Sequence, residues 1–174
     1  MKVFAETPRL ILRELLVTDV DGIFELESDS EVHRYVGNQP ISTIEEARDT
    51  IDFIRKQYIE NGIGRWAVIE KASGDFIGWS GLKLIRESVN DHIDHIDVGY
   101  RLIRKYWGKG FATESAVASV DYGFGTMKLD EIFATVHVEN IASRRVLEKA
   151  GLKVVEPFDY NGEPYYWMEI LKRE

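Results

Sequence analysis

The sequence predicts an α/β fold, a mixed sheet with flanking helices in the order β-α-α-β-β-β-α-β-α-β-β, and three observations carry that prediction. Four segments place apolar residues three or four apart, the period of an amphipathic helix. Between them lie short runs rich in β-branched and aromatic residues, the mark of strands. Turn signals built on Gly, Asn and Asp punctuate the series. At 174 residues, with no linker, repeat or low-complexity stretch, the chain is read as one domain spanning 1–174.

Taken in order, Thr7-Pro8 precedes a short strand at 9–13, because proline biases the residue before it toward extended backbone. Asp19 opens a helix with Ile23, Phe24 and Leu26 on one side. A second helix starts at Ser42 or Thr43, carries Glu45 and Glu46 in its first turn, and stops at Asn61-Gly62. Strands at 65–70 and 76–85 are joined by Ala72-Ser73-Gly74-Asp75, and a third at 93–103 runs into a glycine-rich loop. A helix at 111–124 repeats Ala112, Ala116, Val120 and Phe124 at steps of four. A buried strand at 132–138, a short helix at 142–150 ended by Gly151, and strands at 152–155 and 165–171 complete the chain. The segments 31–41 and 156–164 are read as loops that face the second substrate.

Composition removes several function classes. No cysteine is present, so there is no disulfide framework, thiolate zinc site or thiol nucleophile. The longest apolar runs are four residues, too short to span a bilayer, and the N-terminus lacks a secretory signal; a cytoplasmic address without membrane partners follows as the expectation. The net charge of −8 argues against nucleic acid as a partner. The charge is uneven, however. Residues 99–113 hold Arg101, Arg104, Lys105 and Lys109 and no acid, so the remainder, with four of the 22 cations removed, stands at −12. A basic island in an acidic chain suggests a local anion site, a solvated loop being the plainer reading.

That island contains Trp107-Gly108-Lys109-Gly110-Phe111-Ala112-Thr113, between a strand and a helix. Small residues at 108, 110 and 112 let a ligand approach the backbone, and the free N–H groups and dipole of the first helical turn favour a phosphate. Arg104, Lys105 and Lys109 are expected to add positive charge around it. A dinucleotide fingerprint would need a third glycine at 113, where the sequence has Thr113, and no Walker-type loop is present.

With Glu114 the stretch resembles the acetyl-CoA pyrophosphate loop of the GNAT acetyltransferase superfamily, most closely the branch of ribosomal-protein N-terminal (alanine/serine) acetyltransferases. Three further motifs match in order. Thr7-Pro8-Arg9-Leu10-Ile11-Leu12-Arg13 resembles the family's opening strand, and Asp97-Val98-Gly99-Tyr100 the strand before the loop. Asn140-Ile141-Ala142-Ser143-Arg144-Arg145-Val146-Leu147-Glu148-Lys149-Ala150-Gly151-Leu152 resembles the helix beside the pantetheine arm. The match extends from about residue 6 to 170.

The resemblance implies a GNAT-like, mostly antiparallel central sheet and an N-acetyltransferase that uses acetyl-CoA as cosubstrate and no metal. It implies that main-chain N–H groups of Trp107, Gly108, Lys109, Gly110, Phe111, Ala112 and Thr113 hold the pyrophosphate. Leu102 and Ile103 would pair through their main chains with the pantetheine, an N–H near Leu102 would polarise the thioester carbonyl, and Asn140 would bond the pantetheine amide. The superfamily usually has Gln or Arg where this chain has Trp107. Splaying of the strands near 97–103 and 132–138 would form the cleft.

For the chemistry, Ser143 is the candidate proton donor to the CoA thiolate and Asp97 the candidate base, directly or through water. With no thiol nucleophile, direct attack in a ternary complex is favoured. The plain structural roles are a helix cap for Asn140, a first-turn residue for Ser143, a dipole partner for Glu114 and a solvent-facing edge charge for Asp97. His92 and His95 have poor zinc spacing, His137 could face the acceptor, and of Tyr165, Tyr166 and Trp167 one tyrosine could line its groove. The acceptor is expected to be a primary amine, a protein N-terminus being favoured. The alternatives are a small-molecule amine or a CoA sensor without turnover, and a homodimer is compatible with the chain.

Overall fold

The computed structural model of the chain describes residues 1–173. It contains eight strands: β1 Val3–Glu6, β2 Leu10–Arg13, β3 Trp66–Glu70, β4 Phe76–Ile85, β5 His95–Leu102, β6 Glu131–His137, β7 Lys153–Tyr160 and β8 Glu163–Leu171. The four α-helices are α1 Val20–Glu27, α2 Ile44–Asn61, α3 Phe111–Gly125 and α4 Ile141–Lys149. The strands form one sheet in the order β1-β2-β3-β4-β5-β6-β8-β7. Every pairing is antiparallel except β5 with β6, which touch at a single register, Asp97 opposite Phe133. One pair cannot hold two strands together along their length, so β5 and β6 part beyond it. The expected splay is present.

Each face of the sheet is closed by a pair of helices. Ile23 of α1 and Ala47, Ile51 and Ile54 of α2 pack with Leu15 and Ala67 on one side. Phe111, Ala116 and Val120 of α3 and Leu147 of α4 join the larger core on the other. Each of the larger of these side chains (Ile, Leu, Val and Phe), fully removed from water, stabilises the fold by about 1.5–3 kcal/mol. Trp66 is wholly buried, stacked on Phe4 at 4.8 Å and edge-on to Tyr122 at 5.0 Å. β1 is thereby fastened to the core. The α1 start is set by Asp19, whose carboxylate takes both arms of Arg13 at 2.8 Å and the Leu16 N–H at 2.7 Å.

Two sequence expectations are corrected. β1 precedes the expected first strand; four residues with exposed ends and a half-buried centre show no clear period, and only pairing with β2 makes them a strand. The segment 156–164 is largely a hairpin rather than a loop, β7 and β8 turning at Asn161-Gly162. The Asn-Gly dipeptide was the available signal, but β7 lies at the sheet edge, mostly exposed, and lacks the apolar alternation of a strand.

Candidate functional site

The loop between β5 and α3 is a short 3-10 turn, Arg104–Tyr106, followed by Trp107-Gly108-Lys109-Gly110. Gly110 is the N-cap of α3 with φ 82°, and Gly108 has φ 73°, left-handed values that favour glycine. No side chain caps α3. The Glu114 N–H bonds the Gly110 carbonyl at 3.0 Å and the Trp107 N–H bonds the Arg104 carbonyl at 3.0 Å. Among the described residues, neither backbone nor side-chain acceptors meet the N–H groups of Gly108, Lys109, Gly110, Phe111, Ala112 and Thr113. These six amides are open to an anionic ligand, whereas the Trp107 amide, expected from the sequence to join them, is committed within the protein. The indole of Trp107 instead donates to the Leu102 carbonyl at 2.8 Å, tying the loop to the end of β5.

The basic island plays a different part from the one expected. Arg101 meets Glu27 at 2.5 Å, Arg104 meets Asp29 at 3.0 Å and Lys105 meets Glu25 at 3.0 Å. Only Lys109 of the four lacks an ion-pair partner among the described residues. Most of the island docks the loop onto acids at and just beyond the end of α1, charges that lie far away in sequence.

Strand alternation decides which main-chain groups of β5 are free. The Ile103 N–H donates to the Ile77 carbonyl of β4 at 2.9 Å, and its carbonyl accepts from Tyr106 at 2.9 Å. Ile103 is therefore taken up inside the protein and does not offer the pairing expected of it. In an antiparallel ladder successive residues direct their polar groups to opposite sides. The N–H groups of Tyr100 and Leu102 accordingly point away from β4, toward the gap left by β6.

A cleft of about 890 Å³ occupies that gap. β5 contributes Asp97, Tyr100 and Arg101, and the start of α4 contributes Asn140 and Ser143. Residues 34–39 and the β7–β8 turn form its outer walls, so both segments expected to face the second substrate do line it. The Tyr165 hydroxyl donates to the Tyr35 carbonyl at 3.0 Å and holds one wall in place.

Asp97 lies on a central strand, not at an edge. Its carboxylate is paired with Arg65, whose guanidinium also bonds the carbonyls of Gly81 at 2.6 Å and Asp97 at 3.0 Å. Arg65 is in turn held by Tyr58 of α2, whose hydroxyl donates to the Arg65 carbonyl. Burial pushes the Tyr58 hydroxyl up to about 12, so it stays protonated. Nothing in the local sequence marks Arg65, because its partners come from β4, β5 and α2.

At the opposite wall, Asn140 is the N-cap of α4: its Oδ1 accepts from the Ser143 N–H at 3.2 Å. The cap uses Oδ1 and leaves the amide nitrogen for another partner. Burial raises the pKa of the Tyr100 hydroxyl above its ordinary value, Ser143 pulling the other way. Tyr100 is a site residue the sequence reading passed over except as part of a motif. His137 accepts the Glu139 N–H at Nδ1 (3.1 Å), so Nε2 carries the hydrogen and faces Glu163 at 3.3 Å. With its lone pair committed, His137 is a wall residue rather than a base.

Glu114, read from sequence as a dipole partner, accepts from Thr7 Oγ1 at 2.6 Å and from Arg9 at 3.0 and 2.7 Å. Burial pushes its carboxyl up, but these bonds outweigh that effect and hold it below the usual value.

Comparison with known proteins identifies the family. The family model described as Acetyltransferase (GNAT) domain matches residues 9–153. The chain is 33% identical over 174 residues to an uncharacterized N-acetyltransferase, p20, of Bacillus licheniformis, covering 97% of this chain and 96% of that one. It is 28% identical over 158 residues to spermidine N(1)-acetyltransferase of Escherichia coli, covering 87% and 79%. Among solved structures, a ribosomal L7/L12 alpha-N-protein acetyltransferase in complex with coenzyme A shares the fold, with a TM-score of 0.80 at 16% identity over 98% of both chains. The chain belongs to the GNAT acetyltransferase family and is an acetyl-CoA-dependent acetyltransferase.

Proposed function

We propose that the enzyme transfers the acetyl group to a primary amine, a protein N-terminus being favoured, by direct attack within a ternary complex. The observation that carries the reading is the run of six unpaired amides at the uncapped mouth of α3, set at the end of the strand that walls the cleft. Amides Gly108 to Thr113 would bind the diphosphate, and the β5 groups at Tyr100 and Leu102 would bond the pantetheine in the gap beside β6. Acetyl-CoA, when bound, supplies a thioester carbonyl open to nucleophiles. The Leu102 N–H would stabilise the charge that gathers on that carbonyl oxygen. The amide of Asn140 would orient the arm, and Ser143, with Tyr100 beside it, would protonate the departing thiolate. Asp97, fixed in position by Arg65, would accept a proton from the acceptor's ammonium through water, leaving the neutral amine to attack.

A cleft of about 890 Å³ walled by two chain segments has room for an extended peptide terminus. A small-molecule amine is the second reading. It is favoured by the spermidine-acetylating relative and by Glu139 and Glu163 on the cleft wall, which suit a second cationic group. Thiol release from acetyl-CoA, measured against peptides with free N-termini and against polyamines, tests the proposal. Turnover should be fastest with peptides, and Ser143→Ala should lower kcat by about 100-fold with KM for acetyl-CoA little changed. Binding of CoA without thiol release across the whole panel would sink the catalytic scheme.

A further inference from the structure

We propose that Arg9, in the chain's first segment, is a positioning residue that holds the pyrophosphate loop in its binding conformation; this rests on the cofactor reading above. One guanidinium makes three kinds of contact with that loop. Its Nε and Nη2 reach Glu114 Oε2, each at 2.7 Å, and its Nη1 donates to the Lys109 carbonyl at 2.8 Å. Its plane lies 4.4 Å from the centre of the Phe111 ring. The Arg9 N–H and the Thr7 hydroxyl occupy Glu114 Oε1 at 3.0 and 2.6 Å. Residues 100 or more positions apart are thereby joined at the helix mouth.

The bond to Lys109 sets the direction of a peptide group. In a trans peptide the C=O and the following N–H point opposite ways. With the Lys109 carbonyl turned toward Arg9, the Gly110 N–H is turned away from it, free to face an anion. Flipping that peptide would aim a carbonyl at the phosphate instead. Two glycines flank Lys109, so local sterics do little to prevent the flip. Arg9 does.

The bond to Glu114 solves an electrostatic problem. A carboxylate in the first turn suits the helix dipole but repels a diphosphate bound to the same turn. Arg9 and Thr7 engage both carboxylate oxygens and offset that charge. The same engagement keeps Glu114 from folding back as a cap over amides that the cofactor needs.

The test is CoA binding by calorimetry and steady-state kinetics on the full chain for Arg9→Met, Arg9→Lys, Glu114→Gln and the double variant Arg9→Met/Glu114→Gln. Arg9→Met should raise both the CoA Kd and KM for acetyl-CoA by about tenfold, the scale of lost bonds to a charged group, with kcat within about twofold. Arg9→Lys, which keeps the charge but cannot fork to both acceptors, should lie between. The double variant should bind better than Arg9→Met alone, because no uncompensated carboxylate remains. Unchanged CoA affinity in Arg9→Met, or a loss of kcat that tracks a fall in melting temperature, would overturn the positioning role. Should Arg9→Met fail to fold, an Arg9→Lys variant that binds CoA like the parent protein overturns it equally. Failure of the parent protein to bind CoA would instead remove the cofactor reading on which this rests.

Discussion

The N-termini of α2 and α3 begin alike in sequence, each with a carboxylate in the first turn, and end in opposite states. α2 closes on itself. Thr43 Oγ1 accepts the Glu46 N–H at 3.3 Å, while Glu46 Oε2 accepts from the N–H groups of Ser42 and Thr43 at 2.8 and 2.9 Å. This reciprocal cap satisfies the Glu46 donor and ties the first-turn carboxylate to the helix's own backbone. α3 has glycine where α2 has threonine, and its acid, Glu114, is drawn off by Thr7 and Arg9. A helix that gives up its cap forgoes stability at that end, and the amides so released are the ones a phosphate would satisfy. The pair separates a structural terminus from a functional one by where the first-turn carboxylate goes.

The comparison is most easily broken at Gly110. Gly110→Val forces a β-branched residue into φ 82° and sets a Cβ about 3.2 Å from Arg9 Nη2. CoA affinity should fall by about 100-fold or more in calorimetry, with little change in the far-UV spectrum. Retained affinity would show that the α3 mouth does not hold the diphosphate. At the other terminus, Thr43→Ala should cost about 1 kcal/mol of stability and lower the melting temperature by about 2–4 °C. Its CoA affinity should be unchanged; a coupled loss would erase the distinction between the two ends. The smallest effect is a pH dependence at the C-terminal end of α1. Burial, and then Arg101, lowers the pKa of His33 below 6.5, against the opposing pull of Glu27. The unfolded chain therefore takes up the proton first, so stability is full above about pH 6.5 and falls as the pH drops toward the folded value. Urea midpoints at about pH 8 and about pH 5.5 should differ less in His33→Gln than in the parent protein. His95, buried and lowered in the same direction, accounts for part of what remains.

The helices and their boundaries were legible because the signals are local. Thr43 with Glu46, Gly62 after Asn61, and the apolar face of α2 each specify their neighbours within one turn. The glycine loop was legible for the same reason. Asp97 shows the limit. Its position in a motif was visible, but its partner Arg65 lies 32 residues away, just before β3, and has no local signature. The basic island misled in a similar way, since Arg101, Arg104 and Lys105 look free until α1 brings Glu27, Asp29 and Glu25 alongside.

By itself, the sequence determined the order of the elements after β1, the glycine-bearing start of α3 and the small residues that expose its amides, all consequences of backbone sterics and hydrogen bonding over a few residues. Only the tertiary structure decided which of those amides stay unpaired, which side of β5 faces the gap, and which charges neutralise one another. Those outcomes depend on strand register and on contacts between distant segments, and a charge or a hydrogen-bond donor has no meaning for binding until its competitors within the fold are in place.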